Sequence, residues 1–487
     1  MALTTPILTA PRSLTSARLR AALPLMLLAL WLLAGAPWRP VALPDEGRYG
    51  GVAYEMLAGG DALTPTLYGL PYFHKPPLMY WVDMAALQLL GPVPLALRAA
   101  PLLGAWLMGL ALWIEARARG GTGDARQALV TLAVLPLFYL AAQYANHDML
   151  VAGWISLAIV AVRRALPSRS LAWLCGAWAA MALALLSKGL IGIVLPGLVV
   201  LPGLLLQRRW GDLRFALHPL ALGVFAAVAL PWMLAMQQRF PGFFDYFIVE
   251  QHFRRYTEAR FNNAQPWWFF LAVLPLATLP LSLRLPAALR RMSVDLWWVF
   301  VVVAFFSAPR SKLVGYVLPA LVPLALLLAQ AWRGRRAARG MAVVSALLCV
   351  AAVPAFMHWG KPDDADVGAA LRARLAPGDR VLVTGDPFFD LRLQARLTTA
   401  PAVLADWDAL RSQGGDNWQR ELLDAARFDP GHGEQVLWTP ARLARERCAA
   451  GRLWLVAMPA HALPDAQPVF TGRRATLYAL PPPGNCP

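Results

Sequence analysis

Apolar runs of about 15 to 23 residues recur from Leu23 to Phe356, nearly free of charge and bounded by arginine clusters or by Pro and Gly. A run of that length, coiled as a helix, crosses a hydrocarbon layer about 30 Å thick, and a soluble core has no need of it. About eleven are read, near 21–39, 93–114, 127–145, 148–163, 171–187, 189–206, 215–236, 267–283, 294–308, 313–332 and 340–358. The residues are 58% hydrophobic and 15% charged, outside the range of an ordinary soluble enzyme. Past residue 360, Asp, Arg and Pro interrupt every apolar stretch, so 360–487 is expected to be a soluble domain. The first run follows Arg18 and Arg20 and ends near Ala34-Gly35-Ala36, as a cleaved leader would. Its length, Trp31, Trp38 and the badly placed Pro37 instead predict an uncleaved span.

The formal net charge is +17, yet the tail from Lys361 carries 15 basic and 15 acidic residues, so the whole excess lies in the membrane part. Such an excess reports topology and argues against nucleic acid as a partner. With residues 1–20 placed in the cytoplasm, every inside connection holds at least three arginines, among them Arg117, Arg119 and Arg126, then Arg163, Arg164 and Arg169, then Arg333, Arg335 and Arg336. An odd number of spans puts the tail outside. On that face lie Asp45-Glu46, His74-Lys75, Asn146-His147-Asp148, Ser187-Lys188, Glu250 to Arg255 and Ser311-Lys312. Loops that only joined helices would not gather their chemistry on one side, so an extracytoplasmic site is expected. The first outside connection, 40–92, is longer than a bundle needs, and Gly47 to Leu57 and Pro76 to Leu90 read as helices lying in the membrane interface.

Six motifs follow in order: PDEGRY (Pro44 to Tyr49), GLPYFHKPPLMYW (Gly69 to Trp81), NHDML (Asn146 to Leu150), LLSKGLIGIVLP (Leu185 to Pro196), VEQHFRRY (Val249 to Tyr256) and SKLVGYVLPALVPLALLLA (Ser311 to Ala329). Over roughly residues 21 to 335 the chain closely resembles bacterial lipid-carrier-dependent glycosyltransferases of the aminoarabinose transferase type. The resemblance implies an all-α polytopic membrane protein of the GT-C type, 21–359, related to the protein O-mannosyltransferases, with a small α/β extracytoplasmic domain over 360–487. It implies an inverting transfer of a sugar such as 4-amino-4-deoxy-L-arabinose from undecaprenyl phosphate to lipid A or a related acceptor, at the periplasmic face of the inner membrane. A protein or another envelope glycan is the alternative acceptor. A transporter is disfavoured, because the polar groups gather at one surface and no internal duplication is visible.

Such a transfer needs cations and hydroxyls converging on a phosphate. Arg48, Tyr49, Lys75, Lys312 and Tyr316 are the candidates for that role, although a generic juxtamembrane Arg or Lys often only snorkels to lipid headgroups. Asp45 is the carboxylate expected at the reacting centre, as base or orienting group, with Asp148 the second; Asp148 also fits the start of a helix. Glu46, Tyr72, Lys188 and Arg255 are supporting candidates, Lys188 needing an anionic partner at the apolar interface. His74 and His252 are candidate ligands for one divalent metal, zinc suiting imidazole, or are interface histidines satisfied without it. Members of the resembled family often carry an acid before Lys-Pro-Pro that acts with a later histidine; this chain has His74 there.

In the tail, strands are expected at Arg380 to Thr384, Gln435 to Thr439, Arg452 to Met458 and Thr476 to Leu480, and helices at 366–376 and 417–427. The tail shows no phosphate loop, nucleophile elbow or metal spacing, and is assigned to capping the site or guiding the acceptor. Cys175, Cys349, Cys448 and Cys486 form no C-x-x-C pair; Cys448 and Cys486 are the two that an oxidising compartment would allow to pair.

Overall fold

The computed structural model describes residues 14–254, 263–290, 292–412 and 417–482. Helix α1 (Leu14–Gly35) leads into a connection holding α2 (Asp45–Gly59), a small hairpin of β1 (Thr66–Leu67) and β2 (Leu70–Pro71), and α3 (Leu78–Leu90). The bundle continues with α4 (Ala99–Ala133), α5 (Pro136–Ala142), α6 (His147–Ser168), α7 (Leu171–Lys188), α8 (Ile191–Leu206), α9 (Trp210–Ala216) and α10 (Pro219–Arg239). Beyond a π-helical segment, Asp245–Arg254, come a helix pair bent by 110° (Phe269–Leu276 and Leu281–Ala288), then helices Val294–Ser307, Leu321–Trp332 and Ala338–Trp359.

Each apolar run read from the sequence falls on helix. Six described helices are long and apolar enough to cross a membrane, or seven with the bent pair taken as one span, and Ala22–Gly35, Ile191–Leu206 and Val294–Ser307 are shorter apolar helices. The runs 93–114 and 127–145 meet in α4, which breaks at Gly121 (φ 77, ψ −168). A side chain built at Gly109 would stand 3.4 Å from Leu129. A straight helix would hold those residues about 30 Å apart, so the two arms of α4 run back along each other. Only glycine takes that φ at Gly121 without strain. Exposed Leu and Val along α1, α10 and Ala338–Trp359 form the surface that lipid covers.

The two ends of the bundle differ in chemistry. At one, Glu115, fully buried, accepts from Arg119 at 2.6 Å, Arg163 at 3.0 Å and Arg164 at 2.9 Å, while Asp295 takes Arg119 and Arg163. These side chains tie α4, α6 and Val294–Ser307 together. At the other end the first connection and the tail share one hydrophobic core, in which Tyr68, Leu70 and Met79 are buried with Phe388, Phe389 and Leu391.

The tail is a six-stranded sheet of β3 (Arg380–Thr384), β4 (Ala402–Leu404), β5 (Leu437–Trp438), β6 (Leu453–Ala457), β7 (Gln467–Thr471) and β8 (Thr476–Leu480), in the order β5-β4-β3-β6-β8-β7. Its β5, β4, β3 and β6 are mutually parallel, with β8 and β7 antiparallel at one side. Three expectations are corrected here. Most of Gln435 to Thr439 is not strand: Pro430–Val436 is helical, leaving two strand residues. Strands β4 and β7 are additional. Nor is α2 only an interfacial helix: it is clasped by the tail, and a Cβ at Gly51 would stand 2.5 Å from the Phe389 carbonyl oxygen, so the bare glycine is what permits the approach. Cys448 is disulfide-bonded, Cys175 and Cys349 are free, and Cys486 lies outside the described residues.

Candidate functional site

The first turn of α2 is fixed by Glu46. Arg98, just before α4, grips its carboxylate bidentately at 3.0 and 2.9 Å, and Arg39 adds a bond of 2.7 Å. The backbone N–H groups of Ala42 and Ala145 donate at 2.7 and 2.8 Å. Burial alone would raise the pKa of Glu46, but the bonds and charge of Arg98 and Arg39 outweigh it and hold the carboxyl below its ordinary value. Glu46 is therefore a structural anchor, and it leaves its neighbour Asp45 at the mouth of the site.

Asp45, about a third exposed, receives Arg48 Nη2 on Oδ1 at 2.6 Å and the Tyr144 hydroxyl on Oδ2 at 3.3 Å. Arg48 Nη1 turns the other way, to both oxygens of Glu421 at 2.9 and 3.1 Å. Glu421 sits on the tail helix Trp418–Ala426. The Tyr72 hydroxyl donates to it at 3.4 Å, and His74 Nδ1 is 4.0 Å from it, with the His74 ring stacked on Tyr72 at 4.8 Å. Burial, and then the charge of Glu421, raise the Tyr72 pKa, so its phenol keeps the proton it donates. The Arg48 guanidinium also lies 5.1 Å from the Tyr49 ring centre and 5.7 Å from that of Phe389.

A second group adjoins the first through aromatic contacts. His147, buried at the start of α6, meets Tyr49 and Tyr80 edge-on at 4.7 and 5.3 Å, and its Nδ1 bonds the Ser187 carbonyl at 2.7 Å. A carbonyl only accepts, so Nδ1 carries the proton and Nε2, buried without a partner, presents a lone pair. Next to it Asp148 forms an ion pair with Lys188, whose ammonium stands 4.2 Å from the Tyr316 ring centre. Asn146 caps α6 through the Asp148 N–H at 2.9 Å. A Cβ at Gly315 would collide with the Asp148 carboxylate, so this close approach needs glycine.

The structure thus brings together Asp45, Arg48, Tyr49, Tyr72 and His74 in one group and Asp148, Lys188 and Tyr316 in the adjoining one. Lys75 leads into α3, its Nζ donating to the His74 carbonyl at 3.0 Å. Lys312 does not join them: it is buried, and Nζ donates to the carbonyls of Gln265 and Pro309 at 2.9 and 2.5 Å, closing the turn before Val314. His252 falls on the π-helical segment, but its side chain and Arg255 lie outside the described residues. Among the described residues no group of three His, Cys, Asp or Glu side chains is placed to hold a metal. His74 and Glu421 make two donors, and Glu421 is already committed to Arg48, so the described set does not fit a metal.

Glu421, His147 and Tyr144 were not singled out from the sequence. Nothing in WQRELLDAA distinguishes Glu421 from a solvated surface acid, whereas His147, between Asn146 and Asp148 at a span's end, carried a usable signal.

Comparison with known proteins gives concordant results. The chain matches the family model described as dolichyl-phosphate-mannose-protein mannosyltransferase over residues 74–233. It is 34% identical, over 342 residues, to an undecaprenyl phosphate-alpha-4-amino-4-deoxy-L-arabinose arabinosyl transferase of Pseudomonas fluorescens strain Pf0-1, covering 65% of this chain and 57% of that one. To the corresponding transferase of Pseudomonas aeruginosa strain LESB58 it is 35% identical over 347 residues, 66% of this chain and 62% of the relative. The chain therefore spans less than two thirds of the length of these relatives. In three dimensions it is similar to ArnT from Cupriavidus metallidurans bound to undecaprenyl phosphate, with a TM-score of 0.82 and 22% identity over 96% of this chain and 98% of that one. An oligosaccharyltransferase of Archaeoglobus fulgidus follows at a TM-score of 0.53 and 14% identity, over 90% of this chain and 69% of that one. The chain has the GT-C fold of these structures, and its motif resemblance extends to sequence similarity with the aminoarabinose transferases.

Proposed function

We propose that this protein transfers a sugar, 4-amino-4-deoxy-L-arabinose or a close analogue, from undecaprenyl phosphate to lipid A at the extracytoplasmic face of a bacterial inner membrane. The observation that carries the reading is the gathering of Asp45, Arg48, His74, Asp148 and Lys188 at the end of the bundle covered by the tail. The names of the sequence relatives and the fold support the same donor class. The arginine-bearing turns at the opposite end support the orientation.

In the proposed reaction a lipid A oxygen attacks the anomeric carbon as the bond from that carbon to the carrier phosphate breaks, and undecaprenyl phosphate departs with the bonding electrons. A phosphate acceptor arrives ionised and needs no base; a hydroxyl acceptor gives its proton to Asp45. Lys75 and Lys188 stabilise charge growing on the departing phosphate. We find no carboxylate placed to hold the sugar covalently, so the reading is a single displacement with inversion. The His74 and His252 zinc site stays part of the proposal only for those two side chains, and no step depends on it.

The test is mass spectrometry of lipid A and of envelope glycans from cells with and without the gene, followed by transfer with the purified chain. Gain of an aminopentose on lipid A is the expected result; sugar appearing only on a protein or another glycan would replace the acceptor. For orientation, a reporter active only outside the cytoplasm should work when fused after Gly360 and be silent after Arg336.

A further inference from the structure

We propose that Glu421, brought by the tail, is a positioning residue of the transfer site: it divides the Arg48 fork so that Asp45 keeps one oxygen open to substrate. Arginine and a carboxylate prefer two parallel N–H···O bonds. Asp45, three residues before Arg48 on the same turn, would be the nearest carboxylate to take both. Instead Nη1 is held on Glu421, and Asp45 receives only Nη2 through Oδ1. Its Oδ2 faces the Tyr144 hydroxyl at 3.3 Å, a long contact that an incoming hydroxyl or ammonium can replace.

The tail holds this arrangement from two sides. Glu421 is mostly buried, and Phe389 lies against the same guanidinium. Tyr72, stacked on His74, donates to Glu421 and sets the rotation of its carboxylate. A solvated surface acid would need none of these partners. Once Glu421 is neutral, the fork is free to close on Asp45 and cover both of its oxygens. Binding of the carrier lipid would survive, while the chemical step would slow.

The inference rests on the transferase reading, and two measurements on the full-length protein separate them. In steady-state transfer, Glu421→Gln should lower kcat about tenfold or more while leaving the donor KM within about twofold, and Glu421→Asp should recover most of the loss. In thermal unfolding, which needs no activity, the double variant Arg48→Gln with Glu421→Gln should melt no lower than the worse single variant, because the two lose one shared interaction. A Glu421→Gln enzyme within about twofold of the parent kcat, or additive losses in melting temperature, would overturn the proposal. An unsubstituted chain that transfers nothing would instead sink the transferase reading, and the melting cycle would still decide whether Glu421 holds Arg48.

Discussion

Two side chains of one motif turn have opposite duties. Asp45 is half open and faces the site; Glu46, one residue on, is buried under two arginines. Asp45→Asn keeps the shape but gives up the charge that Arg48 and an acceptor use, so transfer should fall at least about a hundredfold with the folded amount unchanged. Lys75→Ala should behave alike. Lys312→Ala should lower thermal stability ahead of turnover, since its ammonium closes a backbone turn. Parallel assays of kcat and melting temperature on the three variants check this. Asp45, Arg48, Lys75, Asp148 and Lys188 were legible because short motifs keep them near one another in the chain. The spacing of Glu421 from Arg48, 373 residues, explains why it was not: the pairing exists only after the tail docks.

Among the elements, α2 does the most to build the site. The pair of Arg98 and Arg39 on Glu46 joins its start to the bundle, and glycines on one face admit the tail. Removing Glu46 strands two buried guanidinium groups, so Glu46→Ala should cost about 3–5 kcal/mol. The lowered pKa of Glu46 means that its stabilising contribution is present above the unfolded carboxyl value near about 4.3 and is lost as pH falls through the folded value. Thermal melts of the parent and Glu46→Gln from neutral pH downward should therefore converge in acid. Helices were the legible part of the fold, since hydropathy over a span is a strong signal. The fold-back at Gly121 and the 110° bend after Leu276 were not, because a break inside an apolar stretch leaves its composition unchanged. Strands β4 and β7 escaped for a related reason: three residues in one case, and a largely exposed edge in the other, carry little alternation.

Taken whole, the molecule is a membrane bundle and a sheet domain joined over the site. Besides the apolar core, the joint has polar ties: the Val41 N–H donates to Asp363 at 3.1 Å, the Phe388 N–H to the Tyr68 hydroxyl at 3.1 Å, and Arg392 pairs with Glu55 at 3.1 Å. Beside it Asp364, Asp390 and Arg474 are packed together, with Asp364 and Asp390 fully buried. Burial and then the charge of Asp390 raise the Asp364 pKa, against the pull of Arg474. A raised carboxyl favours the folded state most below its unfolded value and loses that advantage as pH climbs to the folded one. The tail should accordingly loosen in alkali, and Asp364→Asn, neutral throughout, should flatten the dependence; limited proteolysis across a pH series reads both. At the far end, three arginines meet two acids, leaving one net positive charge among Glu115, Arg119, Arg163, Arg164 and Asp295. Acidic residues weigh little while helices are being inserted, so those arginines act at full strength then. Only when α4, α6 and Val294–Ser307 meet do the acids reach them. The same charges serve first as an address during biogenesis and afterwards as rivets, and Glu115→Gln should leave the orientation of the chain intact while weakening what holds its helices together.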